Sequence, residues 1–461
     1  MRRAPWSFLW LAIAVRALVA VRTEVPGRDG VSYLWMAEAF ARGDFGALFH
    51  TVFHPLYPAL VGGLLWACPV LDAVVAGQLV ASGLAAIAVV PLWAVAGRLF
   101  GPMAATATAL AYATGAWFAR HPAECMSEGP FYLCVATWAH ALLGERPRPA
   151  RAGVAAGLAF LLRPEGALLL AVGGGWLLAA RRARAAATLA AVALPIMALL
   201  PAGYAICGDG FTLTPKATFN YEVGVGGATS PWLHYLGEAC KLPLAAWEEL
   251  GWLWLPLAIA GAIAKRPRGL AAPATLLLVP FVLQCAVVPL LQSHWRFLSG
   301  YGVLLLPFAG VAAAGTWKGL AARGRALPWL FVVLLAAADV RVFGARNADR
   351  AVERDLGRWL AHELGPGEFV VSDMPRLDFF AGQQPPPPRP ITADDVLRRA
   401  ASPQCRFVVL VVRRGDTGDR RRTDVDDSAL SALGLEPMLP PAILSAADER
   451  SLRLFARTRT R

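Results

Sequence analysis

Carboxylate, imidazole and guanidinium side chains gather in short stretches of this chain that lie beside long apolar runs. The first stretch, 26–58, reads PGRDGVSYLWMAEAFARGDFGALFHTVFHPLYP and carries Asp29, His50 and His54. A carboxylate can take a proton from a hydroxyl, and cations can stabilise a departing phosphate. At a membrane surface, these residue types suit the transfer of a group from a phosphate-bearing lipid.

Further polar residues share the predicted external face of the membrane with Asp29. Five of the seven histidines fall in this set. Several arginines of the set stand alone outside the membrane, where the positive-inside effect does not explain them, and binding an anion is one explanation. The complete set is Arg28, Asp29, His50, His54, Arg120, His121, Glu124, Glu128, Arg163, Glu165, His234, His294 and Arg296.

The composition indicates that these residues are carried by an integral membrane protein. The chain of 461 residues is 57% hydrophobic and 16% charged, with a mean hydropathy of +0.49. The net charge of +12 comes largely from arginine clusters between apolar runs, which is typical of cytoplasmic loops. We therefore attribute the positive charge to the orientation of the chain in the membrane and expect no nucleic-acid partner. The seven cysteines include no CxxC pair, so neither a zinc site nor a disulfide framework is indicated.

The order of apolar runs predicts an all-α polytopic fold. The start, MRRAPWSFLWLAIAVRALVAV, resembles a signal peptide, but Arg16 interrupts its apolar centre and no clean cleavage site follows. A retained helix that starts in the cytoplasm is favoured, which puts Asp29 outside. The remaining runs and their basic flanks predict about eleven transmembrane helices in a domain of residues 1–340, with a first external loop at about 23–71. The cluster Arg146, Arg148 and Arg151 is predicted to be cytoplasmic.

The apolar stretch 152–180 is interrupted midway by Arg163, Pro164, Glu165 and Gly166. Basic clusters flank the stretch on both sides, which favours a hairpin. Each limb has about 11 to 14 residues, roughly 16 to 21 Å at about 1.5 Å per residue, short of a bilayer core of about 30 Å. We therefore expect Arg163 and Glu165 to lie partway into the membrane in a water-filled cavity. The alternative is a single tilted helix, which would reverse the topology on one side of it.

The composition becomes mixed and charged from about residue 341. A helical pattern at 348–364, strand-like runs at 368–372 and 406–412, and a final run at 452–456 predict a small α/β domain over residues 341–461. By the predicted topology, this domain is extracytoplasmic.

Simple structural roles compete with chemistry for several of these residues. Asp29 could cap a helix that starts near Val31, and His54 could cap the helix after Pro55. Arg28 could contact lipid headgroups. Glu124 could be a solvated turn residue.

The motifs resemble those of the GT-C glycosyltransferases, in particular the branch of protein O-mannosyltransferases and aminoarabinose transferases. Asp29 with Tyr33, Ala37 and Gly43, followed by HPLYP at 54–58, is similar to the first external loop of that branch. The MSEGP segment at 126–130 resembles its second acidic site, and the RPEG segment and the turn at 294–296 also match the pattern. The resemblance covers about 2–340.

The resemblance implies a polyprenyl-phosphate sugar donor, an acceptor at the external face and inversion at the anomeric carbon. It implies that Asp29 is the general base and that Glu128 orients the acceptor or a basic partner. His54, Arg120, Arg163, Glu165, His294 and Arg296 would bind substrate or hold the lipid phosphate. Asp29, Glu128 and Arg163 are expected to converge on one external cavity. The implied location is the plasma (inner) membrane.

The chain departs from the family pattern in its first loop. The usual acidic pair is here Asp29 followed by Gly30, and the second acidic site is Glu where Asp is frequent. With a single acidic residue at the position of that pair, we expect no divalent metal and no other cofactor. Other classes of function are a transporter or flippase of lipid-linked sugars and a noncatalytic membrane scaffold. A flippase would distribute charges along a path through the protein, whereas here they cluster on one face.

Overall fold

The computed structural model describes residues 4–208, 210, 212–213, 215–225, 230–266, 268–290, 296–385, 391–413, 425–438 and 450–458. The chain divides into two compact units. The first comprises Met1–Arg22 and Met36–Gly344, and the second comprises Thr23–Trp35 and Ala345–Arg461. The segment that contains Asp29 therefore groups with the C-terminal chain.

The first unit is helical in the part of the chain that the structure describes, apart from short 3-10 turns. One helix, α2, is shared, because the division between the units falls inside it. The helices are α1 Ala4–Val21, α2 Arg28–Ala41, α3 Leu56–Ala67, α4 Ala73–Ile87, α5 Val89–Phe100, α6 Pro102–Thr114, α7 Ala116–Ala123, α8 Glu128–Leu143, α9 Pro149–Leu162, α10 Ala167–Ala179, α11 Ala183–Cys207, α12 Pro215–Val225, α13 Pro231–Ala239, α14 Leu242–Leu250, α15 Trp254–Ala264, α16 Pro273–Val287, α17 Arg296–Gly302, α18 Leu306–Ala321 and α19 Leu327–Ala338.

Within the described residues, four helical stretches are long and apolar enough to cross a membrane. They are Ala73–Phe100, Ala183–Cys207, Pro273–Leu290 and Arg296–Ala321. Several other apolar helices have only 10–17 residues, including those at the N-terminus and on both sides of Arg163. The mostly helical architecture is confirmed, and the count of about eleven spans stays a prediction.

Arg16, which interrupts the first apolar run, is buried inside the helical bundle. Its guanidinium donates to the carbonyls of Ala12, Tyr112 and Ala113 at 3.3 to 3.5 Å. It also lies 4.7 Å from the centre of the Tyr112 ring. Because carbonyls and an aromatic face replace its water, this arginine can be accommodated within an apolar helix of the bundle.

The helical stretch predicted as a hairpin is broken at the expected position. Helix α9 ends at Leu162, a 3-10 turn covers Pro164–Gly166, and α10 starts at Ala167. At Gly166 an added Cβ would lie 2.2 Å from the backbone nitrogen of Phe160, so the chain folds back against α9 there. A continuous helix would separate these residues by about 9 Å at 1.5 Å per residue. The single tilted helix is therefore wrong.

The second unit contains a small α/β fold, as the sequence predicted. Its sheet has the order β1-β2-β4-β3, in which β1 and β2 are parallel and the other neighbouring pairs are antiparallel. The elements are α20 Ala351–Glu363, β1 Phe369–Ser372, α21 Pro375–Phe380, α22 Ala393–Ala400, β2 Cys405–Arg413, α23 Asp427–Ala432, β3 Leu435–Met438 and β4 Arg450–Arg457.

Both faces of this sheet are buried, because successive side chains of a strand point to opposite faces. In β2, Phe407 and Val409 pack with Leu356 and Leu377 of α20 and α21. Val408 and Leu410 belong to a second apolar cluster on the opposite face, formed with α22 and α23. The strand runs are therefore nearly continuous in apolar residues rather than alternating.

Candidate functional site

Arg163 lies at the centre of a buried polar cluster in the first unit. One terminal nitrogen of its guanidinium is 2.6 Å from a Glu128 carboxylate oxygen, and the other is 3.0 Å from a Glu165 carboxylate oxygen. The Glu128 side chain is 1% exposed and the Arg163 side chain is 11% exposed. Burial of either ion alone would be costly, so the two carboxylates and the guanidinium stabilise one another.

Glu128 reaches this position because it begins α8 where that helix contacts α4. A Cβ at Gly129 would lie 2.2 Å from the backbone oxygen of Ala81, so only glycine permits this close approach. The carboxylate of Glu128 also stands in the first turn of its helix, where the helix dipole favours negative charge.

Arg163 and Glu165 are held by the break between α9 and α10. Tyr301, which is buried, donates its hydroxyl to the backbone oxygen of Glu165 at 2.5 Å. The Tyr301 ring also packs edge to face against Phe131, with ring centres 5.7 Å apart. Helices α8 and α17 therefore support the turn, and the two charged residues are partly buried rather than fully solvated.

Aromatic rings surround the cationic groups of this cluster. The guanidinium carbon of Arg163 is 5.9 Å from the centre of the Phe131 ring and 6.0 Å from that of Phe297. Arg296 lies 5.4 Å from the same Phe297 ring, and the charges of Arg163 and Arg296 both act on the Glu128 carboxylate. Planar guanidinium groups stack favourably on such rings. The two arginines thus form one cationic region.

His54 lies beside the same helix break. Its Nδ1 is 2.6 Å from the backbone oxygen of Phe160, and since a carbonyl only accepts, Nδ1 carries the hydrogen. Burial lowers the pKa of His54 to about 4, so the ring is neutral at neutral pH. Its Nε2 is then an acceptor. The alternative role of His54 as a helix cap is wrong, because α3 begins after Pro55 and has no side-chain cap.

His121, one of the residues predicted on the external face, belongs to a second buried group whose other members the sequence did not indicate. Nδ1 of His121 lies 3.0 Å from the Tyr132 hydroxyl and 3.8 Å from a carboxylate oxygen of Glu249. Glu249 is buried at the end of α14, and nothing in the run WEEL distinguishes it from its neighbour Glu248. Only the packing of the helices identifies it.

Arg120 precedes His121 in α7. Its guanidinium carbon is 5.5 Å from the centre of the Trp117 ring. His294 lies outside the described residues, so its predicted role in binding phosphate stays a prediction.

Asp29 belongs to the second unit. Helix α2 begins at Arg28, so Asp29 lies within the first helical turn. The helix starts before Asp29 and not near Val31, so the alternative role of Asp29 as the cap of a helix starting near Val31 is wrong. Asp29 is 8% exposed, and it stands in the first helical turn, where the helix dipole favours an acidic residue.

The described residues contain no group of three or more His, Cys, Asp or Glu side chains that could hold a metal ion. The expectation that catalysis requires no metal stays a prediction.

Comparison with solved structures shows that the chain has a GT-C fold. A structure of ArnT from Cupriavidus metallidurans bound to undecaprenyl phosphate matches with a TM-score of 0.66 and 14% identity over 98% of each chain. The Archaeoglobus fulgidus oligosaccharyltransferase in the apo form matches with a TM-score of 0.61 and 13% identity, over 89% of this chain and 70% of that one. Its complex with an inhibitory peptide and a dolichol-phosphate, where it is called AglB, matches with a TM-score of 0.57 and 13% identity, over 89% of this chain and 69% of that one.

Neither the known family profiles nor the curated protein sequences include a match to this chain. The resemblance inferred from the motifs is thus confirmed at the level of the fold. At 13 to 14% identity, the likeness concerns the path of the backbone and not the identity of the substrates.

Proposed function

We propose that this protein is an integral membrane glycosyltransferase that moves a sugar from a polyprenyl-phosphate donor to an extracytoplasmic acceptor. The acceptor class is a protein, a glycan or a lipid. One observation carries the proposal: buried Arg163 is held by Glu128 and Glu165 at a helix break within a GT-C fold. The similar ArnT and AglB structures contain undecaprenyl phosphate and a dolichol-phosphate. That ligand class fits a cationic region at a membrane.

Arg163 and Arg296 are proposed to hold the phosphate of the donor. A guanidinium has five N–H donors in a planar arrangement that matches the oxygens of a phosphate group. Glu128 and Glu165 would fix the orientation of the guanidinium, and the Phe297 ring would restrict Arg296. The acidic residue Glu128 would accordingly act on a basic partner. His54, Arg120 and His294 are proposed to contribute to substrate binding.

The reaction needs one base and a stabilised leaving group. In the proposal, the Asp29 carboxylate accepts the proton of the acceptor hydroxyl while its oxygen attacks the anomeric carbon. The bond between that carbon and the donor phosphate oxygen breaks, and its electron pair leaves with the polyprenyl phosphate. Direct displacement inverts the anomeric carbon. Cationic side chains that stabilise the growing charge on the phosphate lower the barrier.

The proposal is tested by transfer from a panel of polyprenyl-phosphate sugars, using the purified full chain and membranes of the source cell as acceptor. We expect release of polyprenyl phosphate by the wild type and a loss of about 100-fold or more in Asp29→Asn, because a missing general base typically costs 10²- to 10⁴-fold. Asp44→Asn is the matched control, since Asp44 lies in the same predicted loop and caps a turn by accepting from the Ala47 amide.

Equal activity of Asp29→Asn and the wild type would remove Asp29 from the chemistry. Movement of intact lipid-linked sugar across vesicles, without release of polyprenyl phosphate, would instead identify a flippase. The plasma (inner) membrane location and the external position of the C-terminal unit are part of the proposal, and labelling of single cysteines from either side of the membrane tests them.

A further inference from the structure

A cavity of about 810 Å³ opens at the opposite, predicted cytoplasmic end of the helical unit. It lies where α5 ends, α6 begins, α8 ends and α9 begins. Its polar walls carry Arg98, Arg146, Arg148 and Arg151, together with His140 and Glu145. Four arginines against one glutamate leave a net charge of +3 with histidine neutral.

Apolar residues complete the lining of this cavity, among them Trp93, Val95 and Ala141. Within the described residues, none of the four arginines forms an ion pair with a carboxylate. A helix C-terminus attracts cations, and this could account for Arg98 in the last turn of α5. It does not account for three further arginines that face the same space.

We propose that this cavity binds the phosphate-bearing headgroup of an anionic membrane lipid. Arginine recognises phosphate oxygens through its planar set of donors, and basic pockets between transmembrane helices on the cytoplasmic side bind such headgroups. The apolar part of the lining suits the adjoining glycerol and upper acyl chains. The site is separate from the Arg163 cluster and takes a structural lipid rather than the sugar donor.

The test measures binding of phosphatidylglycerol to the full chain in nanodiscs of phosphatidylcholine. The variant is the triple substitution R146Q/R148Q/R151Q. The control is R181Q/R182Q/R184Q, which removes the same charge from exposed arginines at another predicted cytoplasmic turn outside the cavity. We expect the cavity triple to lose about 100-fold in affinity, because each basic side chain near an anionic lipid contributes several-fold. The control should change little.

Equal losses in the two triples would overturn the proposal, as would no loss in either. Displacement of phosphatidylglycerol by low millimolar inorganic phosphate would assign the cavity to a soluble anion and would also overturn it. If the triple variant does not fold, the affinities of the wild-type protein for phosphatidylglycerol and phosphatidylcholine are compared instead. Equal affinities for the two lipids would refute the site.

A different observation concerns the segment directly before Asp29. Three successive backbone carbonyls of this segment accept hydrogen bonds from side chains of the C-terminal chain in the same unit. Glu24 accepts from Arg354 at 3.1 Å, Val25 from Asn347 at 3.0 Å and Pro26 from Arg376 at 2.6 Å. Hydrogen bonds from the C-terminal chain thus hold this segment immediately before α2 begins.

The buried carboxylate of Glu353 orients Arg376, which is one of these donors. Glu353 is 3% exposed, and its carboxylate lies 3.3 Å from Arg376 and 3.1 Å from Arg350. A further backbone hydrogen bond of 3.1 Å joins the Glu24 nitrogen to the Arg346 oxygen. The contacts continue from residue 23 to residue 26, so the C-terminal fold sets the position of the chain that leads into Asp29.

We infer that the C-terminal domain positions the candidate base through Arg376, an inference that rests on the proposed function. The test compares R376Q with R358Q. Arg358 also joins α20 to α21, with its guanidinium carbon 5.7 Å from the centre of the Phe380 ring, but it is exposed. We expect R376Q to lower kcat about 10- to 100-fold with donor KM unchanged, since small misplacements of reacting groups cost this much.

Hydrogen exchange at residues 23–30 should increase in R376Q and remain unchanged in R358Q. R376K, which keeps the positive charge and N–H donors but not the planar guanidinium, should recover part of kcat. If D29N is inactive while R376Q retains full kcat, the positioning inference fails and the proposed function survives. If D29N is fully active, the proposed role of Asp29 as the base is refuted, and the positioning inference that rests on it is refuted as well.

Discussion

The ion pair between Arg163 and Glu128 yields the sharpest test of how the first unit is held together. The proposed changes are Arg163→Met, Glu128→Gln and the double variant. Removal of Arg163 leaves the Glu128 carboxylate, whose side chain is 1% exposed, without the cation that lies 2.6 Å from it. Breaking a buried pair in this way costs about 3 to 5 kcal/mol.

The reverse change should cost less, because Arg163 keeps its second carboxylate, Glu165, at 3.0 Å. Loss of one partner of a buried polar group corresponds to about 1 to 3 kcal/mol. The double variant should recover part of the cost of Arg163→Met, since its glutamine buries no uncompensated charge. The expected coupling energy between the two positions is therefore about 1 to 3 kcal/mol.

The assay is the free energy of unfolding of the full chain in mixed micelles, measured for the wild type, both single variants and the double variant. Arg120→Met is the control, because Arg120 contacts the Trp117 ring and is only partly buried. The reasoning would be refuted if Arg163→Met were no more destabilising than Glu128→Gln, or if the two effects were additive.

Three further outcomes are expected. Gly166→Ala should destabilise the helical unit by several kcal/mol, because its Cβ would meet backbone atoms of α9 at 2.2 Å. Thermal unfolding measures this loss of stability, and Gly174→Ala is the control because nothing lies within 4 Å of a Cβ at that position. Burial raises the pKa of Asp378 to about 8, so its contribution to stability is present below about pH 4 and is lost as the pH rises through 8, at up to about 1.4 kcal/mol per pH unit. Asp378→Asn should flatten this part of the pH profile, and an unchanged profile would contradict the assignment. Treatment with EDTA should leave sugar transfer unchanged, and a loss restored by added Mg²⁺ or Mn²⁺ would show that the expectation of metal independence is wrong.

Local patterns in the sequence were sufficient for much of the architecture. The break at residues 163–166 could be predicted because proline and charged residues interrupt an apolar helix. The strands of the C-terminal unit could be predicted because runs such as Phe407 to Leu410 are too short and too apolar for a surface helix. These are properties of neighbouring residues, which the sequence displays directly.

The partners of individual side chains could not be predicted in this way. Glu249 meets His121, and Tyr301 supports the Glu165 backbone, over separations of more than a hundred residues. The attachment of the segment before Asp29 to Arg376 spans the length of the chain. Such pairings depend on how helices pack, and no local pattern encodes them.

By itself, the sequence determined that the chain is a helical membrane protein with a separate α/β region, because hydropathy and residue periodicity are local quantities. It also determined which residue types are available for chemistry. The tertiary structure alone decided that Arg163 is held between two carboxylates, that His54 is neutral and buried, and that the Asp29 segment belongs with the C-terminal unit. Electrostatics and burial depend on distances in space, and those distances exist only once the helices have packed.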